Sequence, residues 1–342
     1  MNNLNQKSIL ITGGTGTFGK QCMQTIINKF KPKKLVIFSR DEQKQFQLSK
    51  HFPTSRFPFL RYMLGDIRDK ERLKKAFFEI DVIVHAAAMK HVPAAEYNPT
   101  ECIATNIYGA QNIIDIALEH KVKKVIALST DKAANPINLY GATKLCSDKL
   151  FVAANNLSGK QKSRFSIVRY GNVLGSRGSV LENFKTLLKQ GEKKLPLTHP
   201  EMTRFFITIN DGVDFVLNSL QIMRGGEIFI PKLRSVKMLD MVEFLAGKDN
   251  YNLIGIREGE KLHETMIPFE ESGNCIEMKE YYIIQPKFTW WNTKELEKTL
   301  LKKGKSVSKN FVYSSENKKY LMNSKQLQKI LRDYINLDLR QL

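Results

Sequence analysis

Tyr140 and Lys144 stand four residues apart and have the side chains of an acid–base pair. On a helix, residues at this spacing share one face, so the Lys144 ammonium would lie beside the Tyr140 phenol. A neighbouring positive charge lowers the pKa of a phenol, which would make Tyr140 a usable base. Thr130, at the end of a preceding strand-like run, is placed to hydrogen-bond the same substrate hydroxyl. The spacing therefore predicts a site that removes a proton from an alcohol.

A glycine-rich turn follows the first strand-like run. Between Thr12 and Gly19, the residues Gly13, Gly16 and Gly19 form a G-x-x-G-x-x-G pattern. Side chains at these positions would keep the backbone away from a pyrophosphate, and the next helix would present its first N–H groups to the phosphates. A glycine triplet alone is weak evidence, but this one lies at the first strand–helix junction of an alternating series. The turn therefore predicts a dinucleotide site.

The end of the second strand-like run distinguishes two dinucleotides. NAD sites place a carboxylate there for the ribose 2′-hydroxyl, whereas NADP sites place positive charge there. Ser39 and Arg40 come first and Lys44 follows one helical turn later, which favours a clamp on the 2′-phosphate of NADP. Asp41 is close enough to leave NAD open. Asp66, after the third run, could accept a hydrogen bond from the adenine amino group.

Small residues after His85 leave room for the pyrophosphate bridge of the cofactor. The residues expected to contact the cofactor are Gly13, Thr15, Gly16, Thr17, Phe18, Gly19, Ser39, Arg40, Lys44, Asp66, Ile67, Ala86, Ala87, Lys90, Thr105, Tyr140, Lys144 and Val173.

Short apolar runs alternate with helical-period stretches from Ser8 to about Val173. The expected strands are 8–12, 34–38, 59–63, 82–84, 124–128 and 165–168, and the expected helices are 19–30, 68–78, 99–120 and 140–154. Runs that are apolar on both faces are typical of parallel strands covered by helices on each side. The alternation predicts an α/β fold with a doubly wound parallel (Rossmann) sheet.

The alternation ends after Val173, and we expect a smaller, discontinuous substrate-binding domain. The expected division gives residues 1–173 and about 205–231 to the dinucleotide domain, because 211–223 has a helical pattern and 227–230 a strand pattern. About 174–204 and 232–342 form the substrate domain. Trp290 and Trp291 suggest an apolar patch.

Several separated motifs resemble the extended short-chain dehydrogenase/reductase family over nearly the whole chain. Within it, the sequence looks like the configuration-inverting UDP-N-acetylglucosamine 4,6-dehydratases. The segments that carry this likeness are 90–93, 95–99, 129–144, 169–173, 175–179, 202–205 and 259–264. The resemblance implies a lyase that opens the route from UDP-N-acetylglucosamine to pseudaminic acid and related deoxy sugars of flagellin glycans, capsule and O-antigen.

The resemblance also implies a role for each catalytic residue. Tyr140 removes the C4 hydroxyl proton while a hydride leaves C4 for NADP, Lys132 removes the C5 proton, and Asp131 protonates the departing C6 hydroxyl. The hydride then returns to C6. Retaining dehydratases carry Asp–Glu where this chain has Asp131–Lys132, which indicates inversion at C5. Lys132 must be neutral to act, so we expect burial and Lys144 to lower its pKa.

Two other functions share parts of this pattern. A UDP-hexose 4-epimerase, or a C5-epimerase of the same family, would share the glycines, Tyr140 and Lys144, but a 4-epimerase has no need of Asp131–Lys132. A non-catalytic NADP-binding regulator would commonly lose the Tyr–Lys pair, which this chain retains.

A nucleotide-sugar pyrophosphate requires cations, and the planar fork of arginine can bind two of its oxygens together. The resemblance implies substrate contacts from Lys90, Asn172, Arg177, Gly178, Ser179, Val180, Thr203, Arg204, Arg257 and Glu260. Structural hydrogen bonds explain His263 and Glu264 at least as well as a role in the site.

Composition limits the possible partners. Fifty-four Lys and Arg against 34 Asp and Glu give a net charge of +20, which favours anionic ligands. Neither an arginine-rich helix nor an RNA-binding aromatic motif is present, so we do not expect nucleic acid.

No apolar run approaches the ~18 residues of a membrane span. The first residues lack signal-peptide zones, so we expect a cytoplasmic protein. Four scattered cysteines predict neither a disulfide framework nor a metal site. We expect a homo-oligomer, either a dimer or a hexamer.

Overall fold

A parallel sheet with helices on both faces is the centre of the fold. The computed structural model describes residues 4–159, 162–286 and 300–339. The parallel strands are β1 (Ser8–Thr12), β2 (Lys34–Ser39), β3 (Leu60–Leu64), β4 (Val82–His85), β5 (Lys124–Thr130), β6 (Arg164–Tyr170) and, later in the chain, β10 (Ile228–Pro231). They lie in the order β3-β2-β1-β4-β5-β6-β10. The predicted doubly wound sheet is confirmed.

Helices alternate with these strands, as the sequence predicts. They are α1 (Thr17–Lys29), α2 (Glu42–His51), α3 (Lys70–Phe77), α4 (Val92–Tyr97), α5 (Pro99–Ile103), α6 (Gly109–Glu119), α7 (Leu139–Leu157) and α9 (Ile209–Ile222). Asp41, Asp69, Asn138 and Thr208 cap the starts of α2, α3, α7 and α9 by accepting backbone N–H groups. The expected helix 99–120 is divided, because a π-helical turn, Ala104–Tyr108, joins α5 to α6.

A second apolar core lies beside the sheet. Its elements are α8 (Val180–Lys189), β8 (Leu195–Leu197), β9 (Thr203–Ile207), β11 (Arg234–Lys237), α10 (Met238–Ala246), β12 (Tyr251–Leu253) and α12 (Ser324–Leu339). Leu181, Phe184, Met241 and Leu331 are among its buried side chains. Two short pairings lie nearby: β7 (Asn172–Val173) joins β9, and β13 (Thr265–Ile267) joins β17 (Tyr313–Ser314), whose buried side chains Met266, Ile267 and Tyr313 belong to the main core.

The expected division gives all of 232–342 to the smaller domain, but three strands of this segment join the large sheet. β14 (Cys275–Glu277), β15 (Tyr281–Ile284) and β16 (Lys305–Ser306) extend the large sheet antiparallel beyond β10. Tyr282 and Ile283 are buried in the main core, and this burial holds the returning strands there. Helix α11 (Phe269–Ser272) precedes them. Trp290 and Trp291 lie outside the described residues.

None of the helices in the described ranges is long and apolar enough to cross a membrane. All four cysteines are free thiols.

A fully buried arginine joins the sheet to the later part of the chain. Arg169, on β6, donates to both carboxylate oxygens of Glu271 at 2.6 and 3.3 Å and to the Met266 carbonyl at 3.0 Å. The Asp148 carboxylate lies 3.6 Å from the same guanidinium. A buried cation that loses its partner is strongly destabilising, because its charge remains without compensation.

Glu271→Gln is therefore expected to lower the free energy of unfolding by roughly 3 kcal/mol. Glu270→Gln, at the exposed neighbour in the same helix, should change it by less than about 0.5 kcal/mol. Urea unfolding of both variants measures the difference. Equal stabilities would show that the Arg169 charge does not depend on Glu271.

Candidate active site

The glycine turn is too crowded for side chains. Gly13 has φ +65°, and a Cβ there would lie 2.9 Å from the backbone of Ala86; a Cβ on Gly19 would lie 2.5 Å from the Gly13 carbonyl. Gly16 is the N-cap of α1, and neither a capping side chain nor an acid in the first turn occupies its first N–H groups. These groups are therefore available to an anion, so the residues present fit a dinucleotide.

Each cation expected at a 2′-phosphate lies against a carboxylate. Arg40 is exposed and lies 3.8 Å from Asp66, and Lys44 forms an ion pair with Asp41, the cap of its own helix. Ser39 is buried at the end of β2, where Gln45 donates to its hydroxyl at 3.0 Å. The side chains lie at the same edge of the sheet, as the sequence predicts.

The other expected cofactor residues border the turn or follow neighbouring strands. Thr12 accepts the N–H groups of Ala86 and Ala87 at 3.2 and 3.3 Å, which fixes the chain after β4. Ile67 is buried and packs against Gly109 at the start of α6. A Cβ on Gly109 would lie only 2.6 Å from the Ile67 side chain. The remaining positions are Thr15, Thr17 and Phe18 at the turn and the start of α1, Thr105 in the π-helical turn, and Val173 in β7.

The loop that follows β7 covers the start of α1. The Arg177 N–H donates to Thr17 Oγ1 at 3.3 Å, and Lys90 Nζ donates to the Arg177 carbonyl at 2.9 Å. Burial and the Arg177 charge lower the pKa of both Lys20 and Lys90. A cavity of about 480 Å³ lies here, lined in part by Thr17, Arg177 and Gly178. Arg177, expected at the substrate, thus lies beside the glycine turn.

At the end of β5, a short 3-10 turn holds the Asp–Lys pair. Asp131 is fully buried, and Thr130 Oγ1 donates to its Oδ1 at 3.0 Å. Lys132 Nζ donates to the same Oδ1 at 3.1 Å and lies 3.4 Å from Asn172 Oδ1. The Glu264 carboxylate lies 3.2 Å from Lys132 Nζ on another side. The ammonium therefore lies between two carboxylates.

The expected lowering of the Lys132 pKa is wrong for this structure. Burial does lower it, but Asp131 and Glu264 together raise the pKa above the ordinary lysine value. Lys144 is not among the charges that shift the pKa of Lys132. Its counter-ion is Asp148, one turn along α7, and burial lowers the pKa of Lys144. Lys132 is therefore held protonated.

The expectation for the phenol also needs correction. Burial raises the pKa of Tyr140 to about 12, and the cation that opposes this rise is Lys132 rather than Lys144. A hydrogen bond with Thr130 acts in the same direction as Lys132. Tyr140, Thr130, Asp131 and Lys132 thus form one connected group, whereas Lys144 interacts with Asp148.

Glu264 is a site residue to which the sequence analysis assigns no role. Its side chain is 3% exposed, lies against Lys132 and is 3.8 Å from Arg204 Nε. The structural interpretation holds for its neighbour His263, whose Nδ1 lies 2.8 Å from Thr203 Oγ1. The segment 259–264 is the available signal, but the contact of Glu264 with Lys132 joins residues far apart in the sequence, which no local pattern reveals.

The two arginines expected to bind the substrate differ in how firmly the protein holds them. Arg204 is buried and donates to the carbonyls of Thr203, Leu262 and Lys261 at 2.7–3.0 Å. Arg257 is exposed and pairs with both Glu260 oxygens at 2.9 and 3.0 Å.

The remaining expected substrate residues lie nearby. A Cβ on Gly178 would lie 2.3 Å from His91, and Ser179 is the N-cap of α8, which Val180 begins.

The fold and the site define an enzyme of the short-chain dehydrogenase/reductase class. The chain belongs to the polysaccharide biosynthesis protein family, whose profile matches residues 9–286.

Two curated relatives cover almost the whole chain. A Campylobacter jejuni protein named UDP-N-acetylglucosamine 4,6-dehydratase (inverting) is 53% identical over 96% of this chain and 98% of its own length. A Rickettsia akari protein named UDP-glucose 4-epimerase is 36% identical over 98% of both chains.

Two solved structures share the fold. Pen from Bacillus thuringiensis gives a TM-score of 0.86 at 35% identity, over 97% of this chain and 99% of its own. The dTDP-glucose 4,6-dehydratase DesIV from Streptomyces venezuelae, with NAD bound, gives 0.67 at 22% identity, over 75% of this chain and 86% of its own.

One backbone contact holds Tyr140 and the Asp–Lys pair together. A Cβ on Gly141 would lie 2.2 Å from the Lys132 carbonyl, so only glycine allows α7 to start this close to the 3-10 turn. Gly141→Ala is expected to cost about 1–3 kcal/mol of stability by overpacking. In Gly212→Ala, within α9, the nearest atom would be at 3.8 Å. This control is expected to stabilise by about 0.5–1 kcal/mol. Urea unfolding measures both changes, and equal signs would contradict the contact.

Proposed function

We propose that this protein is a UDP-N-acetylglucosamine 4,6-dehydratase that inverts C5, giving UDP-2-acetamido-2,6-dideoxy-β-L-arabino-hexos-4-ulose. The observation that carries the proposal is the hydrogen-bonded Asp131–Lys132 pair beside Tyr140 at the end of β5. The name of the C. jejuni relative supports the same substrate and the same stereochemistry.

NADP is the proposed cofactor. Gly13, Gly16 and the first turn of α1 would hold its pyrophosphate, and Arg40 and Lys44 its 2′-phosphate. When bound, the nicotinamide supplies the hydride exchange that oxidises C4 and later reduces C6. The chain has to supply the proton transfers.

Tyr140 performs the first proton transfer. Because burial holds the phenol protonated in the free protein, Tyr140 has to release its proton to solvent before it can accept the C4 hydroxyl proton. The Lys132 ammonium stabilises the phenolate as it forms, and the Thr130 hydroxyl turns from Asp131 Oδ1 to donate to it.

Asp131 and Lys132 perform the elimination. A proton that moves from Nζ to Oδ1 along their 3.1 Å hydrogen bond leaves Lys132 as a neutral amine and Asp131 as an acid. Lys132 then takes the C5 proton while Asp131 gives its proton to the C6 hydroxyl, which leaves as water. Both residues end as the ion pair from which they began. When the hydride returns to C6, C5 takes up one proton that comes from solvent.

The 4-epimerase is the second candidate, because the R. akari relative carries that name. A 4-epimerase oxidises and re-reduces C4 and has no use for a buried acid and base at C5 and C6. Mass spectrometry of the product distinguishes the two: a dehydratase product lacks one water mass relative to UDP-N-acetylglucosamine, and an epimerase product has the substrate mass. A product of unchanged mass would overturn the proposal.

Tyr140→Phe removes the phenolic oxygen and little volume. Turnover is expected to fall about 100- to 10,000-fold, the usual contribution of a general acid–base group. UDP affinity, measured by calorimetry, should stay within about twofold because the phenol is not needed to hold the nucleotide. Retention of most of the activity would place the base elsewhere.

Lys132→Ala is expected to stop the reaction after oxidation at C4. Quenching a single turnover with borodeuteride should yield UDP-sugar that carries deuterium at C4 and has lost no water. Tyr140→Phe is the control, because it should trap nothing. Elimination at the normal rate in Lys132→Ala would show that another group is the C5 base.

The protein is expected to bind NADP more tightly than NAD, because Arg40 and Lys44 can exchange their carboxylate partners for the 2′-phosphate. Replacing both by Ala should reduce the preference, measured by calorimetry. Lys50→Ala, an exposed change in the same helix, should leave it intact. Equal affinities for the two cofactors in the unaltered protein would refute the assignment.

A further inference from the structure

Glu264 reaches the site from a different part of the chain than the pair it contacts. It immediately precedes β13, its N–H donates to Ser315 Oγ at 2.9 Å, and its carbonyl accepts the Ser315 N–H at 2.8 Å. β13 pairs with β17, whereas Asp131 and Lys132 follow β5. The Glu264 backbone is therefore fixed independently of the turn that carries the pair.

The Lys132 ammonium has one carboxylate on each side. Asp131 Oδ1 lies at 3.1 Å and Glu264 Oε1 at 3.2 Å. The second oxygen of each carboxylate, Asp131 Oδ2 and Glu264 Oε2, is buried without a hydrogen-bond partner in the structure. Elimination uses only one of these carboxylates as the acid, so the other has a different role.

Other charged and titratable groups face this cluster. Arg204 Nε lies 3.8 Å from Glu264, and Lys261 Nζ donates to the Ala134 carbonyl at 2.8 Å, close enough for both carboxylates to influence it. Tyr140 feels the Lys132 charge, and Glu260 lies 3.8 Å from Arg204. Among these carboxylates, Glu264 and Asp131 contact the Lys132 ammonium directly.

We propose that Glu264 is a positioning residue for the C5 step: its carboxylate holds the Lys132 ammonium against Asp131 and thereby sets the pH up to which the pair keeps the proton that elimination needs. This inference rests on the proposed dehydratase function. Moving the Lys132 proton to Asp131 gives up the attraction between the ammonium and Glu264. The Glu264 carboxylate therefore favours the ion pair over the reactive acid–amine form.

Removing the charge of Glu264 should make Lys132 easier to deprotonate. Elimination needs the one proton that Asp131 and Lys132 share, so its rate falls at the pH where the pair loses that proton to solvent. In Glu264→Gln this fall is expected about one pH unit or more lower. Glu258→Gln removes one charge from an exposed position of the same loop and should leave the pH of this fall unchanged. The readout is water loss in single turnovers from pH 6 to 10, by quenched mass spectrometry.

A second measurement does not require activity. Acetylation of Lys132 by acetic anhydride, followed across the same pH range by peptide mass spectrometry, reports the neutral amine directly in the unliganded protein. The pH at which Lys132 becomes acetylated should be lower in Glu264→Gln by the same amount. Glu264→Asp, which keeps the charge, should shift less than Glu264→Gln in both measurements.

The outcomes separate the inference from the function it rests on. Water loss with the same pH dependence in Glu264→Gln and the unaltered protein, or unchanged acetylation, overturns the role of Glu264 and leaves the dehydratase standing. A product without water loss from the unaltered protein overturns the proposed function, whereas a shifted acetylation profile would still place Glu264 in control of the Lys132 proton.

Discussion

Lys132 lies where two parts of the chain meet, with a carboxylate from each part against its ammonium. Asp131 comes from the end of a strand in the large sheet, and Glu264 from the start of a strand in the later part. A buried ion pair gives little net stability, because desolvation of the charges offsets their attraction. Removing one partner is costly, however, so the cluster requires the two parts to assemble in one arrangement. The Arg169–Glu271 pair connects the same two parts in the same way, because the buried Arg169 charge also requires its partner.

The chemistry follows from this arrangement. A lysine that faces water alone would be protonated at neutral pH and distant from any acid that needs its proton. Beside Asp131, its proton is already hydrogen-bonded to the group that must donate at C6. Tyr140 is placed close by because Gly141 lets α7 approach the Lys132 carbonyl. A 4-epimerase requires only the tyrosine part of this group, which is why the Asp–Lys pair decides the proposal.

The sequence predicted what is local in the chain and missed what depends on distant contacts. The alternation of strands and helices, the glycine turn and the adjacency of Asp131 to Lys132 are all visible in short segments. The antiparallel return of β14 to β16 was missed, because short runs after residue 270 have no regular alternation. Lys144 was expected to lower the pKa values of Lys132 and Tyr140. Its charge interacts instead with Asp148, one turn further along α7. Glu264 received no role because its contact with Lys132 joins residues far apart in the sequence.

The central claim is that Lys132 removes the C5 proton and that protonation returns to the opposite face of C5. Conversion of UDP-N-acetylglucosamine in heavy water, followed by NMR of the product, tests it most directly. The account predicts a 4-keto, 6-deoxy sugar with deuterium at C5 and the L-arabino configuration. A product with the D-xylo configuration would contradict it, as would one that keeps the original C5 hydrogen.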